Sequence, residues 1–243
     1  MEGLHLLVRG NLMDGSLVIF SRFPRLGRVK TRLEPALGKR GCLELHRALL
    51  LDTVERTRFL SRRHYLYLSG STARERARFA AAWRLPADLI IRRQTGADLG
   101  ERLCKACRQI AAESKEKPVV FLGADSPTVP RKYIRRALDR LARRPVVVGP
   151  AEDGGYYLIG LSRPRPELFS NLDWGTGKVL EQTLQRLRPD QYTLLPYWFD
   201  VDDGGDLARL HREVEAAGPD VFRHTRRCLR ALVHDPVSQS VFR

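Results

Sequence analysis

Short apolar runs alternate with longer amphipathic stretches along most of the chain, and this alternation constrains the fold more than any other feature. Runs such as LVIF, HYLYLS, DLIIRR, PVVFL and PVVVGP have the length of strands. Segments with helical spacing separate them, such as GCLELHRALLLDTVERTRF, in which Leu45, Leu49 and Leu50 share a face. Strands that are apolar throughout are covered on both faces. We therefore predict a single-domain α/β fold, with a mostly parallel sheet and helices on both of its faces.

Length and composition agree with one domain. The chain has 243 residues, 43% of them hydrophobic and 29% charged, with no internal repeat or long linker. We expect residues 1–14 to be a loosely ordered extension and residues 15–243 to form the domain. No apolar run reaches the roughly 20 residues that a membrane helix needs. The N-terminus is a poor signal peptide, and we expect a cytoplasmic protein.

The four cysteines show no dense disulfide pattern, which is typical of a reducing compartment. Cys104 and Cys107 form a lone CxxC motif in a helical segment, where both lie on one face. No second pair stands at zinc-site spacing. The pattern favours packing in the core over a redox or metal role.

A dense basic loop follows the first apolar run. The window from Arg22 to Arg32 contains no acidic residue and five cations, which are Arg22, Arg25, Arg28, Lys30 and Arg32. Such a density repels itself unless an anion is bound. Ligands of parallel sheets bind at the carboxyl ends of the strands, where this loop lies. A phosphate-binding loop is one interpretation and a plain surface loop the other. If the loop binds phosphate, we expect Lys30 and Arg32 to make no core contact and to contribute to binding rather than to folding.

Acidic residues follow two later apolar runs. Asp125 ends the strand PVVFLGAD, and Asp200 and Asp202 in FDVD would project to the same side of an extended segment. Oxygen ligands of this kind suit Mg²⁺ or Mn²⁺. Asp125 has a structural alternative as the cap of a following turn. Metal and cations around one anion would indicate a diphosphate or triphosphate.

The stretch EDGGYYLIG joins two predicted strands. Gly154 and Gly155 allow a tight turn and a close approach of substrate to the backbone. Asp153 is then either a general base on an acceptor or only the first residue of an Asp-Gly turn. In the later stretch LDWGT, Trp174 and Thr176 either contact the acceptor or, for Thr176, cap the next helix.

The ordered set FSRFPRLGRVKTRLEPALG, GADSPTVP, GPAEDGGYYLIGL, WGT and FDVDDGGDL resembles the DUF2064 family. This family is also described as radical-SAM/selenodomain-associated transferase 1, and in part as arsenosugar-biosynthesis glycosyltransferases. The resemblance extends from about Leu17 to about Leu210. It implies the GT-A fold of nucleotide-diphospho-sugar transferases. A more distant likeness is to phospholactate guanylyltransferases, which have a similar basic element.

The resemblance implies roles for individual residues. It assigns Asp125 to the metal, with Asp200 or Asp202 as a second contact. It places Gln94, in QTGADLGERL, near the nucleotide pocket, where its amide would contact a base edge. The expected nucleotide-binding set is Arg22, Arg28, Lys30, Arg32 and Gln94, and the expected acceptor set is Gly154, Gly155, Trp174 and Thr176. Lys30 and Asp153 are the candidate catalytic residues.

Three functions remain open at this point. The first is a metal-dependent glycosyltransferase that uses a nucleotide-diphospho-sugar and a small-molecule acceptor. The second is a nucleotidyltransferase that joins a nucleoside triphosphate to a phosphorylated acceptor and releases pyrophosphate. The third is a non-enzymatic nucleic-acid-binding protein, which the net charge of +15 allows. The acidic cluster would repel nucleic acid in the absence of metal, so no specific nucleic-acid partner is expected.

Overall fold

A seven-stranded sheet organises the chain, and the structure, a computed structural model, describes residues 12–114 and 117–233. The strands are β1 (Met13–Arg22), β2 (Ser61–Ser69), β3 (Ile90–Arg93), β4 (Val119–Gly123), β5 (Val146–Pro150), β6 (Tyr156–Leu161) and β7 (Tyr192–Leu194). Their order is β3-β2-β1-β4-β6-β5-β7. Only β6 runs antiparallel to its neighbours, β4 and β5. The prediction of a mostly parallel sheet is confirmed.

Helices connect the strands. They are α1 (Glu34–Thr57), α2 (Ala73–Ala82), α3 (Leu99–Ser114), α4 (Arg131–Arg140), α5 (Val179–Leu184), α6 (Gly204–Ala216) and α7 (Arg223–Val233). Single 3-10 turns lie at Thr31–Leu33, Pro166–Leu168 and Pro189–Gln191. Helix α6 begins with a capping box in which Asp203 and Asp206 each accept a hydrogen bond from the other's backbone N–H. No helix in the described ranges is both long enough and apolar enough to cross a membrane.

Both faces of the sheet are buried, as the apolar strands predicted. Val18 packs in a cluster with Leu103, Cys107 and Ile110 of α3, while its neighbours Leu17 and Ile19 point to the opposite face. That opposite face is covered by α1 and α4. The other cysteine of the CxxC motif, Cys104, packs against the same α3 cluster. The core-packing interpretation of that motif is confirmed.

Two boundaries differ from the sequence prediction. Strand β1 begins at Met13, inside the expected loose extension, whose first eleven residues lie outside the described part. The stretch YTLLPYWFDV was expected to be one strand, but it pairs regularly only over Tyr192–Leu194 and then through the single bridge Ala151–Trp198. Pro196 in its middle has no N–H to donate to a neighbouring strand. The chain instead turns towards the end of β4.

Candidate active site

The site lies at the switch point between β1 and β4, two neighbouring strands whose connections run in opposite directions across the sheet, from β1 to β2 and from β4 to β5. The basic loop follows β1, and Asp125 follows β4. The segment after β7 is the third part of the site, because Val201 N donates a hydrogen bond to Asp125 O at 3.1 Å. Together they form a cleft of about 260 Å³, lined by Arg22, Val29, Lys30, Thr31, Arg32, His46, Asp125 and Asp202.

Lys30 lies at the centre of this cleft. Its backbone is left-handed, with φ 50° and ψ 38°, and its side chain is 4% exposed. The ammonium Nζ lies 2.8 Å from Asp125 Oδ1 and 3.2 Å from Asp202 Oδ1, and it donates to Val201 O at 2.7 Å. Burial opposes the charged form, but the two carboxylates outweigh it and raise the pKa of Lys30. The expectation that Lys30 makes no core contact and contributes only to binding is therefore wrong, because its buried charge holds two acidic segments together.

The other cations of the loop are more exposed. The Arg32 side chain is 76% exposed, and its Nη1 lies 3.7 Å from Asp202 Oδ2. Arg25 is paired with Glu75 at 2.5 Å, whereas Arg22 and Arg28 form no ion pair within the described ranges. A second recess of about 300 Å³ adjoins the cleft and is lined by Arg22, Phe23, Arg25, Arg28, Ser69 and Gly70. Arg22 borders both spaces. Because Arg22 and Arg28 form no ion pair among the described residues and Arg32 is largely exposed, the guanidinium groups of all three are available to an anion.

Asp200 is the most perturbed acid of the site. Burial raises the pKa of its carboxyl to about 7, the hydrogen bond from the Ser126 hydroxyl opposes the shift, and the charges of Asp125 and Asp153 add to it. Burial also acts to raise the pKa of Asp125, but Lys30 and the other nearby cations lower it overall. The electrostatic coupling shows that Asp125, Asp153 and Asp200 lie near one another.

The three predicted metal ligands do not converge on one point. In the part of the chain that the structure describes, Asp125, Asp200 and Asp202 do not bring three ligand atoms within 4.8 Å of one another, and Lys30 lies between Asp125 and Asp202. A different trio meets this criterion, namely Asp52, Glu55 and His224.

That trio has a structural explanation. The carboxylate of Asp52 accepts hydrogen bonds from His224 N at 3.2 Å and Thr225 N at 2.7 Å, at the beginning of α7. Glu55 pairs with Arg223 and His224. These acids complement the first turn of a helix, as carboxylates at helix N-termini commonly do.

His46 is a site residue that the sequence analysis did not identify. Its side chain is buried; Nε2 lies 3.2 Å from Ser21 Oγ and 3.0 Å from Arg22 O, and Nδ1 lies 3.9 Å from Asp125 Oδ1. Burial lowers its pKa, although the charge of Asp125 opposes the shift. His46 thus connects the start of the basic loop to the acid after β4. A lone histidine in the apolar face of α1 gives no signal of such a role, so only the tertiary contact reveals it.

Gln94 lies at the same end of the sheet but is 8% exposed. Its amide Nε2 donates to Ser21 O at 3.0 Å and to Tyr67 O at 2.9 Å, which ties together the ends of β1 and β2. A base contact by Gln94 stays a prediction, and with both amide protons engaged it would use the side-chain carbonyl oxygen.

The turn at Asp153 is exposed and tightly built. Asp153 Oδ1 accepts a hydrogen bond from Gly155 N at 2.9 Å, and Gly154 has φ +85°. A Cβ atom on Gly154 would come within 2.1 Å of Gly177 O, so only glycine fits there. Leu180 N also donates to Gly154 O at 2.9 Å. The turn is therefore fixed against the loop that carries Trp174 and Thr176.

Trp174 and Thr176 are placed differently. The Trp174 ring packs edge-on against Tyr156, with 6.3 Å between centroids, and its buried Nε1 has no hydrogen-bond acceptor among the described residues. The Thr176 hydroxyl donates to Asp173 O at 2.7 Å and accepts from Lys178 N at 3.3 Å. The N-cap of α5 is Lys178, so Thr176 stabilises the preceding turn rather than capping the helix as expected.

The fold and the site together define the class of protein. A mostly parallel sheet with a basic loop after β1 and an acid after the neighbouring β4 is the arrangement of the nucleotide-diphospho-sugar transferase superfamily. A protein from Desulfovibrio desulfuricans, described as a candidate nucleotide-diphospho-sugar transferase, is 30% identical to this chain. The match covers 94% of this chain and 97% of that one, with a TM-score of 0.82.

More distant structures share the fold. The Rv0371c homologue from Mycobacterium sp. strain JC1 is 17% identical, with 83% of this chain and 98% of that chain covered and a TM-score of 0.54. A cytidylyltransferase from Leptospira borgpetersenii is 14% identical, with 96% and 97% covered and a TM-score of 0.53. No curated protein matches the chain. Residues 53–176 match the family described as an uncharacterized protein conserved in bacteria (DUF2064). The chain belongs to the DUF2064 family.

Proposed function

We propose that this transferase moves a glycosyl group from a nucleotide-diphospho-sugar to a small-molecule acceptor. The observation that carries the proposal is the cluster at the switch point, where the buried Lys30 ammonium joins Asp125 to Asp202 beside the exposed arginines of the same loop. A ligand there meets fixed positive charge on one side and carboxylates on the other. That combination suits a polyphosphate bound together with a divalent cation.

The exposed cations provide the phosphate contacts. Lys30 is occupied by its two carboxylates, so Arg22, Arg28 and Arg32 are the groups left to contact phosphate oxygens. Guanidinium groups bind phosphate in a bidentate fashion and stay charged at every physiological pH. Arg22 borders both the 260 Å³ cleft and the 300 Å³ recess. A diphosphate at Arg22 would leave space on either side for the two groups that it links.

The carboxylates of the site are chemically suited to bind a divalent cation. Asp125 and Asp200 offer oxygen ligands, and the burial and neighbouring carboxylates that raise the pKa of Asp200 are effects that a bound cation would offset. These two residues would hold Mg²⁺ or Mn²⁺, while Asp202 stays paired with Lys30. When bound, such an ion would neutralise charge on the departing diphosphate.

Asp153 is the proposed general base. It is exposed and lies near enough to Asp200 to influence the pKa of that carboxyl. Its turn is fixed by the glycine contact with the Trp174 loop, so the carboxylate is held in one position. In the proposed reaction Asp153 takes the proton of the acceptor hydroxyl as it attacks the anomeric carbon, and the nucleoside diphosphate leaves from the opposite side.

Nucleotidyl transfer is the second candidate. The three arginines left for phosphate, Arg22, Arg28 and Arg32, exceed the charge of a diphosphate, and a triphosphate would use them more fully. In that reaction the phosphate of an acceptor attacks the α-phosphorus of a nucleoside triphosphate, and pyrophosphate leaves.

A two-stage experiment tests the proposal. First, nucleotides and nucleotide-sugars are screened by thermal shift with and without Mg²⁺ or Mn²⁺; a ligand at 100 times its Kd stabilises by about 2.7 kcal/mol. The ligands that bind are then incubated with a pool of small acceptors, and the products are separated by chromatography. Release of nucleoside diphosphate supports glycosyl transfer, and release of pyrophosphate supports the second candidate. Absence of binding by every nucleotide would refute both.

A further inference from the structure

A large recess on the described surface lies away from the switch point, between α1 and α7. It has a volume of about 680 Å³, within the range of small-molecule sites. Its apolar wall consists of Leu37, Ala48, Leu51, Trp83, Ala231 and Leu232. His46 on the same helix points to the active site instead, so the two sites use different faces of α1.

Cations surround the mouth of this α1–α7 groove. Lys39, Arg40 and Arg227 are exposed and form no ion pair with any described residue, while Arg47 pairs with Glu44 at 2.8 Å and stacks on Trp83 at 5.2 Å. The Arg47 side chain is 27% exposed, so the accessible part of its guanidinium can also donate to an anionic ligand in the groove.

The thiol and the leucine side chains that line the groove are neutral. Burial raises the pKa of the Cys228 thiol to about 12, and the nearby acids Glu44 and Asp52 add to the shift, so the thiol stays protonated. Leu37, Leu51 and Leu232 are 3%, 4% and 6% exposed. These members of the apolar wall are therefore recessed rather than part of a flat surface patch.

We propose that the α1–α7 groove binds a small amphipathic anion, with an apolar body between the helices and a phosphate or carboxylate group at Arg47, Arg227 and Lys39. Charge complementarity at the mouth selects an anion, and the apolar wall selects a hydrocarbon or aromatic body. The ligand is a free molecule rather than a membrane surface, because Leu37, Leu51 and Leu232 are at most 6% exposed and a flat bilayer would not reach them. The proposal is independent of the reaction at the switch point.

Calorimetry with decyl phosphate, below its micellar concentration, tests the proposal on the full chain. Decanol, inorganic phosphate and decyltrimethylammonium are the comparison ligands. Decyl phosphate is expected to bind at least about a hundredfold more tightly than inorganic phosphate, because each buried methylene contributes about 0.8 kcal/mol. It is also expected to bind about tenfold more tightly than decanol or the cationic amphiphile. Equal affinity for decyl phosphate and decanol would overturn the anion assignment.

Variants locate the site. The double variant Lys39→Gln/Arg227→Gln should bind decyl phosphate about tenfold more weakly and keep its affinity for decanol. The double variant Arg136→Gln/Arg140→Gln, on the exposed face of α4, should change neither affinity. Ala231→Trp should block both ligands by filling the groove, with near-ultraviolet circular dichroism as the check on folding. Full affinity in both groove variants would overturn the proposal.

Two further outcomes separate other sources of binding. Arg32→Gln should weaken the binding of nucleotides but not of decyl phosphate. Loss of decyl phosphate binding in this variant would place the amphiphile in the phosphate loop and overturn the proposal. Co-sedimentation with phosphatidylglycerol vesicles that depends on Lys39 and Arg227, without calorimetric binding of decyl phosphate, would make the groove a membrane contact and also overturn it.

Discussion

Replacing Lys30 by methionine should destabilise the fold by about 2 kcal/mol at pH 7. The ammonium contacts Asp125 and Asp202 at 2.8 and 3.2 Å and donates to Val201 O. Removing one partner of a fully buried ion pair costs about 3–5 kcal/mol, because the remaining charge is uncompensated. Both carboxylates are about two fifths exposed, at 42% and 41%, so water can partly rehydrate them and the cost falls below that range, to about 2 kcal/mol. Methionine retains most of the side-chain volume, which isolates the loss of charge.

The assay is urea unfolding followed by tryptophan fluorescence. Arg32→Met is the matched control, because Arg32 belongs to the same loop but is 76% exposed, and its loss should change the free energy of unfolding by less than about 0.5 kcal/mol. Both variants should weaken nucleotide binding. Adding Asp202→Asn to Lys30→Met should recover part of the lost stability, because one of the two uncompensated charges is removed. The reasoning is refuted if Lys30→Met and Arg32→Met have the same unfolding free energy within error.

Three further predictions concern the acids and a buried histidine. Asp125→Asn should weaken metal-enhanced nucleotide binding at least about tenfold, since the neutral amide is a poor ligand for a divalent ion, while Asp139→Asn on the outside of α4 should not; unchanged enhancement by metal would exclude Asp125 as a ligand. Asp153→Asn should keep donor affinity within a few-fold by calorimetry and lower turnover by about 10²–10⁴, whereas an unchanged turnover would leave Asp153 with only its turn-forming role. His64 is buried, and burial lowers its pKa from 6.5 to about 4, so the unfolded state binds more protons between these values and stability falls as the pH falls through this window. Between pH 7 and 5 the loss should be about 2 kcal/mol by urea unfolding, and His64→Gln should abolish that part of the pH dependence; an unaltered profile in His64→Gln would contradict the assignment.

The sequence determined the class of fold because hydrophobic periodicity is a local property. Apolar strands such as LVIF and PVVFL must be covered on both faces, and the helical spacing between them supplies the cover. The same logic placed the basic loop, Asp125 and Asp153 after strand ends, where sites of such sheets form.

Only the tertiary structure decided which groups meet. Asp202 is 172 residues from Lys30 in the chain, and their contact depends on the turn after β7 that brings Val201 to the end of β4. His46 looks like an ordinary member of an apolar helix face until α1 packs beside Asp125. The amide Nε2 of Gln94 likewise donates hydrogen bonds to the backbone of two strands, a role that no local sequence pattern indicates. Burial and long-range charge contacts set the pKa values of Lys30 and Asp200, and these quantities exist only once distant segments are packed together, so no local pattern in the sequence can carry them.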